Sequence, residues 1–164
     1  MGISDWKSEF DNAKVSASAT YMEPGNFLLR IDKIAEGKNR KGVENFKVEG
    51  TIIHKLDPNG SQAVGASVCD MYSRASDYFA QELKALVSGM FSLPAESVSF
   101  EQLAQISDEK QPMKGIVVEY FAYKKEGSQF TKKYCRGMKT QEEVKAQLSE
   151  QEWNTYSDSL KFIG

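Results

Sequence analysis

Histidine, cysteine and long apolar runs are scarce in this 164-residue chain, and each scarcity removes a class of function. The single histidine, His54, excludes a His-rich metal site. Beside Lys55 at the end of a predicted strand, it reads as an exposed residue and not as a base or ligand. The two cysteines, Cys69 and Cys135, form no CxxC pair and both fall in predicted strands. That points to a reduced, intracellular protein that needs no disulfide staples. Cys135 lies between Tyr134 and Arg136, where a cation lowers a thiol pKa, but its inward direction makes it an inert core thiol. No segment is apolar enough to span a membrane, and no N-terminal apolar run reads as a signal peptide. Trp6 stands where a myristoylation pattern needs Ser or Thr. The expected location is cytoplasmic.

Catalytic signatures are missing as well. There is no Walker loop and no GxSxG. A nuclease or polymerase needs clustered carboxylates to hold Mg²⁺. Asp70, Asp77 and Glu82 are close in sequence, but Asp77 and Glu82 read as the solvated face of a helix beside its apolar stripe. The expectation is a non-enzyme without metal or cofactor.

Strong net charge is also absent: the sum is −2, which argues against a simple polycation. Its distribution is uneven. Residues 25–56 sum to +3 and 114–139 to +5, while 57–113 sum to −5 and 140–164 to −3. Positive charge thus follows the predicted strands and their loops, and negative charge the predicted helices and termini. This asymmetry predicts one basic face.

Residues 1–25 show no sustained period and read as an N-terminal arm, packed down through Trp6 and Phe10. Asn26–Ala35 alternates as a first strand, with Phe27, Leu29 and Ile31 facing inwards. A basic loop, Gly37–Gly42, leads to a second strand, Val43–Ile53, in which Gly50 marks a bulge or bend. The turn Asp57-Pro58-Asn59-Gly60 precedes a third strand, Ala63–Tyr72. The period then changes to that of a helix: Phe79, Leu83, Leu86, Val87 and Met90 share one helical face over Ser76–Met90. Ser99 with Gln102, and Thr140 with Glu143, are capping boxes that start two further helices. The final stretch, from Glu150, is acidic and has no clear period.

The most informative stretch is Lys114–Lys139. Its β-rich runs Ile116–Tyr123 and Gln129–Arg136 flank Glu126-Gly127 and predict a hairpin. A two-residue turn there sets Tyr123 opposite Phe130, Phe121 opposite Lys132, Glu119 opposite Tyr134 and Val117 opposite Arg136. One face then interleaves aromatic rings with cations, while Tyr120 and Cys135 belong to the other, core-like face. Rings stack on bases and cations meet phosphates, as a single-stranded nucleic-acid groove requires. The same residues also suit an ordinary sheet, where cross-strand aromatic pairs and edge lysines are common.

Three strands, a helical insertion and two strands make a mainly β chain with α insertions. The expected α+β architecture is a five-stranded OB-fold Greek-key barrel, with helices between strands three and four and a C-terminal helix. Residues 26–138 form the OB-fold domain, and 139–164 the C-terminal helix and acidic tail. In that fold the loops Gly37–Gly42 and Lys124–Ser128 become two jaws of one groove. Lys38, Arg40, Lys41, Lys47, Lys124, Lys125, Lys132 and Arg136 are then the candidate phosphate contacts. Phe121, Tyr123, Phe130 and Tyr134 are the candidate stacking rings.

The runs PGNFLLRIDKI, ENFKVEGTII and SDYFAQELKALV resemble a group of phage-encoded OB-fold proteins that includes single-stranded-DNA-binding proteins. The resemblance covers about residues 8–138. It implies sequence-tolerant binding of single-stranded DNA in phage replication or recombination, within the host cytoplasm. A protein-interaction module for a replication or recombination partner is the alternative use of the same surface. The C-terminal tail offers such partners a peptide, or competes with DNA for the basic groove, or simply packs as a helix through Val144, Leu148 and Trp153. A homo-oligomer is compatible with all of these readings.

Overall fold

The two periodicities of the sequence map directly onto its elements. The computed structural model describes residues 6–7 and 19–163. Six strands are present among them: β1 (Thr20–Tyr21), β2 (Gly25–Lys38), β3 (Glu44–Lys55), β4 (Ser67–Ser73), β5 (Val117–Lys124) and β6 (Thr131–Met138). Four α-helices accompany them: α1 (Phe79–Phe91), α2 (Phe100–Ile106), α3 (Gln141–Gln147) and α4 (Glu150–Tyr156). The fold is β-rich α+β. Both expected capping boxes form, at Ser99 and Thr140, and a third at Ser149 starts α4 inside the stretch that showed no period.

The closed five-stranded barrel is not what the chain builds. All six strands share one open sheet in the order β1-β4-β3-β2-β5-β6. The reason lies at the edges. The short β1, within the stretch read as an arm, pairs in parallel with β4 and takes the edge that β6 would need. Helix α1 also packs against both β4 and β6. Gly89 lets it lie directly on β6, because a Cβ there would run into the Cys135 carbonyl oxygen. Trp6, expected to pin the arm, is 60% exposed, and Phe10 lies outside the described residues.

The sheet is nonetheless strongly curled. In a flat sheet, four strand steps of about 4.8 Å would set β4 and β6 roughly 19 Å apart. Yet the Lys133 ammonium on β6 sits 2.9 Å from Asp70 on β4, with the carboxylate fully buried. The other carboxylate oxygen accepts hydrogen bonds from Tyr72 and Tyr120, at 2.5 and 3.0 Å. Burial, and then the Asp70 charge, push both phenols well above their usual pKa. Asp70 is therefore a structural clasp. At Gly50 the curl brings backbones so close that a Cβ would lie 2.6 Å from the Arg30 carbonyl oxygen. The register of β2 shifts there, between Ile31 and Lys33.

The main core fills the inside of the curl with Phe27, Leu29, Ile31, Val48 and Ile52 against Leu83, Leu86, Val87 and Met90 of α1. A second, smaller cluster lies on the outer face. There Val144 and Leu148 cover Leu28, Ile53 and Val117, with Trp153 and Tyr156 of α4 alongside. Burying each such aliphatic side chain is worth about 1.5–3 kcal/mol. The C-terminal segment is thus a docked layer over the sheet.

Candidate nucleic-acid interface

Strand alternation sorts the β5–β6 hairpin as its sequence predicts, although the register differs. Tyr123 pairs with Lys132, Phe121 with Tyr134 and Tyr120 with Cys135. These three partners on β6 are each displaced by two residues from the expected pairing, and an irregularity between Val118 and Tyr120 then sets Val118 opposite Met138. A two-residue slip keeps every side chain on its face, whereas a slip of one would have exchanged the faces. The cause is the connection, which is longer than the expected two-residue turn. It closes with the Ser128 amide donating to the Lys125 carbonyl at 2.9 Å, and it runs on through Phe130. Phe130 is consequently a loop residue, 78% exposed, and not the partner of Tyr123.

Ile116, Val118, Tyr120, Ala122 and Cys135 are buried on the inner side. Burial pushes the Cys135 thiol up to about 12 and the Cys69 thiol to about 11, as inert core thiols require. On the outer side the rings form a connected row. Phe121 and Tyr123 lie 5.7 Å apart, and Tyr123 and Tyr134 stack at 6.0 Å with planes only 15° apart. The Arg136 guanidinium sits 4.6 Å over the Phe121 ring. Hydrogen bonding with Tyr123, then slight burial, raises the Tyr134 phenol above its usual pKa. Glu119 closes the row at its inner end, 3.3 Å from Lys139 and 3.9 Å from Arg136. Lys124, Lys125 and Lys132 are exposed and carry no ion pair within 4 Å among the described residues.

Lys38, Arg40, Lys41 and Lys47 lie elsewhere. Lys38 ends β2, and Arg40 and Lys41 occupy the following turn, which Asn39 closes by accepting from the Lys41 and Val43 amides. Lys47 lies on β3 between Ala35 and Met71. Gly25, at the start of β2, pairs with Ala122, so the two basic loops sit at opposite ends of this 14-residue strand. Between them, on the same outer face, lies the C-terminal segment. Arg30 donates to Asp32, Thr51 and Ser159 there, and its guanidinium lies 5.8 Å from the centre of the Tyr156 ring. The expected single groove with two jaws is thus divided into two basic regions.

The Asp70 and Lys133 clasp was missed from sequence, whereas packing of the C-terminal segment through Val144, Leu148 and Trp153, one of the uses the sequence offered for it, is what the structure shows. His54, expected to be exposed, is half-buried and bonds Glu152 of α4 at 2.8 Å through Nδ1. Burial alone would raise the Glu152 carboxyl, but the Ser149 amide and His54 outweigh it and hold it below its usual value. No cluster of three or more His, Cys, Asp or Glu suited to a metal ion occurs among the described residues. No helix among them is long and apolar enough to cross a membrane. No known protein-family model matches this chain, and no curated protein matches it significantly.

Proposed function

We propose that this protein binds single-stranded DNA in a sequence-tolerant way, on the outer face of the β5–β6 hairpin, and that it is a binding protein and not an enzyme. The observation that carries this reading is the row of Phe121, Tyr123 and Tyr134, the first two half-buried and the third exposed, flanked by Lys132 and Arg136. Successive bases stack on such rings whatever their identity, because every base has a π-face, and the intervening phosphates meet the cations. Lys124 and Lys125 extend the positive charge along the hairpin. Phe130, at its tip, presents an exposed ring to a bound strand. A curled sheet of six strands, four before the helical insertion and two after it, with α1 beside its open seam, supports an OB-type arrangement whose barrel is left unclosed. A role in phage replication or recombination, in the host cytoplasm, rests on the sequence resemblance.

The test is a gel shift of labelled oligo-dT titrated with salt, with and without Mg²⁺. Neutralising about four phosphates gives a slope of log K against log[salt] near −3. An affinity indifferent to salt sinks the reading, and Mg²⁺-dependent loss of the oligonucleotide reveals an enzyme. The exposed Phe130 favours a second reading, in which the hairpin docks a replication or recombination protein. Reversal of the charges at Lys124 and Lys125 separates the two: it abolishes DNA binding and leaves an apolar docking contact largely intact.

A further inference from the structure

The other basic region holds a cleft. On the outer face, Lys33, Ala35 and Gly37 of β2 run beside Asn45, Lys47 and Glu49 of β3, and with Glu36 and Lys38 they line a volume of about 160 Å³. Small residues make the room. A Cβ on Gly37 would lie 3.3 Å from the Asn45 side-chain oxygen and point the chain's bulk at it. Asn45 is only 6% exposed, and that oxygen is shut from solvent with no hydrogen-bond partner. Buried acceptors in folded proteins are nearly always satisfied, so an orphan at the wall of a cleft marks a group that something else completes. Asn45 lines the cleft, and a turn about its soft terminal torsion would bring the hydrogen-bonding edge of its amide to a ligand there.

The charges around it are uncommitted. Lys33, Lys38 and Lys47 make no ion pair within 4 Å among the described residues, even with Glu36 and Glu49 nearby. Lysine ammoniums serve as point-charge partners for phosphate. An apolar cavity of about 150 Å³ takes a benzene ring, so this cleft has room for one ring of a base. We infer that the cleft binds a single nucleotide, its base edge on the Asn45 amide and its phosphate on Lys33, Lys38 and Lys47. This rests on the nucleic-acid reading above and adds a contact remote from the aromatic row. The nucleotide is either free or part of a bound strand.

The experiment follows the Asn45 side-chain NH₂ and Gly37 amide signals of the ¹⁵N-labelled full chain. The titrants are each deoxynucleoside monophosphate, oligo-dT and inorganic phosphate. Movement of both signals with a monophosphate supports a free-nucleotide site, and movement with oligo-dT alone supports a strand-borne one. Equal movement with inorganic phosphate reduces the cleft to an anion site and overturns the inference. Oligo-dT that perturbs only the Tyr123 and Tyr134 region also overturns it, while leaving the DNA-binding reading in place. Monophosphate binding without oligo-dT binding does the reverse. Gly37→Val, which plugs the cleft, weakens the binding by about tenfold. Should that variant fail to fold, Lys33→Gln on the exposed rim replaces it, and unchanged affinity in the folded variant overturns the assignment.

Discussion

On the outer face of the sheet, Leu28, Ile53 and Val117 lie beneath α3 and α4, whereas Phe121 and Tyr123, further along the same β5, are only half-buried beside the exposed Tyr134. The two halves differ in residue type before they differ in cover. Aliphatic side chains gain only by leaving water, so the chain spends its C-terminal segment on them. Tyr123 and Tyr134 carry hydroxyls and the Phe121 ring accepts a cation over its face, so these rings can remain near the surface and still offer a partner a large flat contact. Glu119 marks the border, tied to Lys139 on the covered side and to Arg136 on the open side. On the proposed reading one half serves stability and the other contact, and substitutions should separate the two.

The largest expected effect is on the covered half. Leu148→Ala removes a side chain that is only 8% exposed and should cost about 2–4 kcal/mol of stability. The measurement is the urea midpoint by circular dichroism, with oligonucleotide affinity of the folded protein unchanged. A large loss of affinity with little loss of stability would show that the C-terminal layer, and not the open row, makes the DNA contact.

Tyr134→Ala should behave in the opposite way. The ring is 46% exposed, so its loss should leave stability within about 0.5 kcal/mol. Oligo-dT affinity should fall by about 1–3 kcal/mol, the usual contribution of one stacking ring. If stability falls and affinity does not, the rings are sheet residues of the ordinary kind.

Why the sequence announces one half better than the other follows from these residues. Alternation within β5 and β6 identifies both faces, and it survives the two-residue error in register because side chains alternate with period two. The helical stripe of α1 and the capping boxes at Ser99 and Thr140 are equally local signals. Features set by distant pairing are not legible. Two residues of β1 carry no period, yet their parallel pairing with β4 takes an edge that a closed barrel needs. Asp70 reads as one acid among several until the curl brings Lys133 and Tyr120 to it. The last segment reads equally as an acidic tail and as a helix packed through Val144, Leu148 and Trp153, and only its distant pairing with Leu28, Ile53 and Val117 decides for the second. Asn45 gave no signal at all, since a single amide in a strand looks like any polar alternation.

Within the open row, Arg136→Lys keeps the charge but loses the planar group over Phe121. An exposed cation–π contact is worth about 0.5–1 kcal/mol. The expected result is a small drop in oligo-dT affinity with an unchanged salt slope, because the phosphate charge balance is kept. A reduced slope would instead assign Arg136 to a phosphate.

The smallest effect is expected where the covered half is latched. Glu152 bonds His54 at 2.8 Å, and its carboxyl is held below the usual glutamate value. A depressed carboxylate contributes stability that is fully present above the unfolded pKa, near 4.3, and is lost as pH falls through the folded value. Docking of α4 should therefore weaken on acidification below about pH 4.3. Glu152→Gln retains the capping box with Ser149, since glutamine also closes it, but removes the charge. The variant should lose under about 1 kcal/mol at pH 7 and show a flatter acid limb. Trp153 emission in a Trp6→Phe background reads the docking, because Trp153 packs in the covered cluster with Lys145 5.5 Å from the centre of its ring. An acid limb unchanged by Glu152→Gln would assign the latch to the apolar contacts alone, and the covered half would then owe nothing to its one histidine.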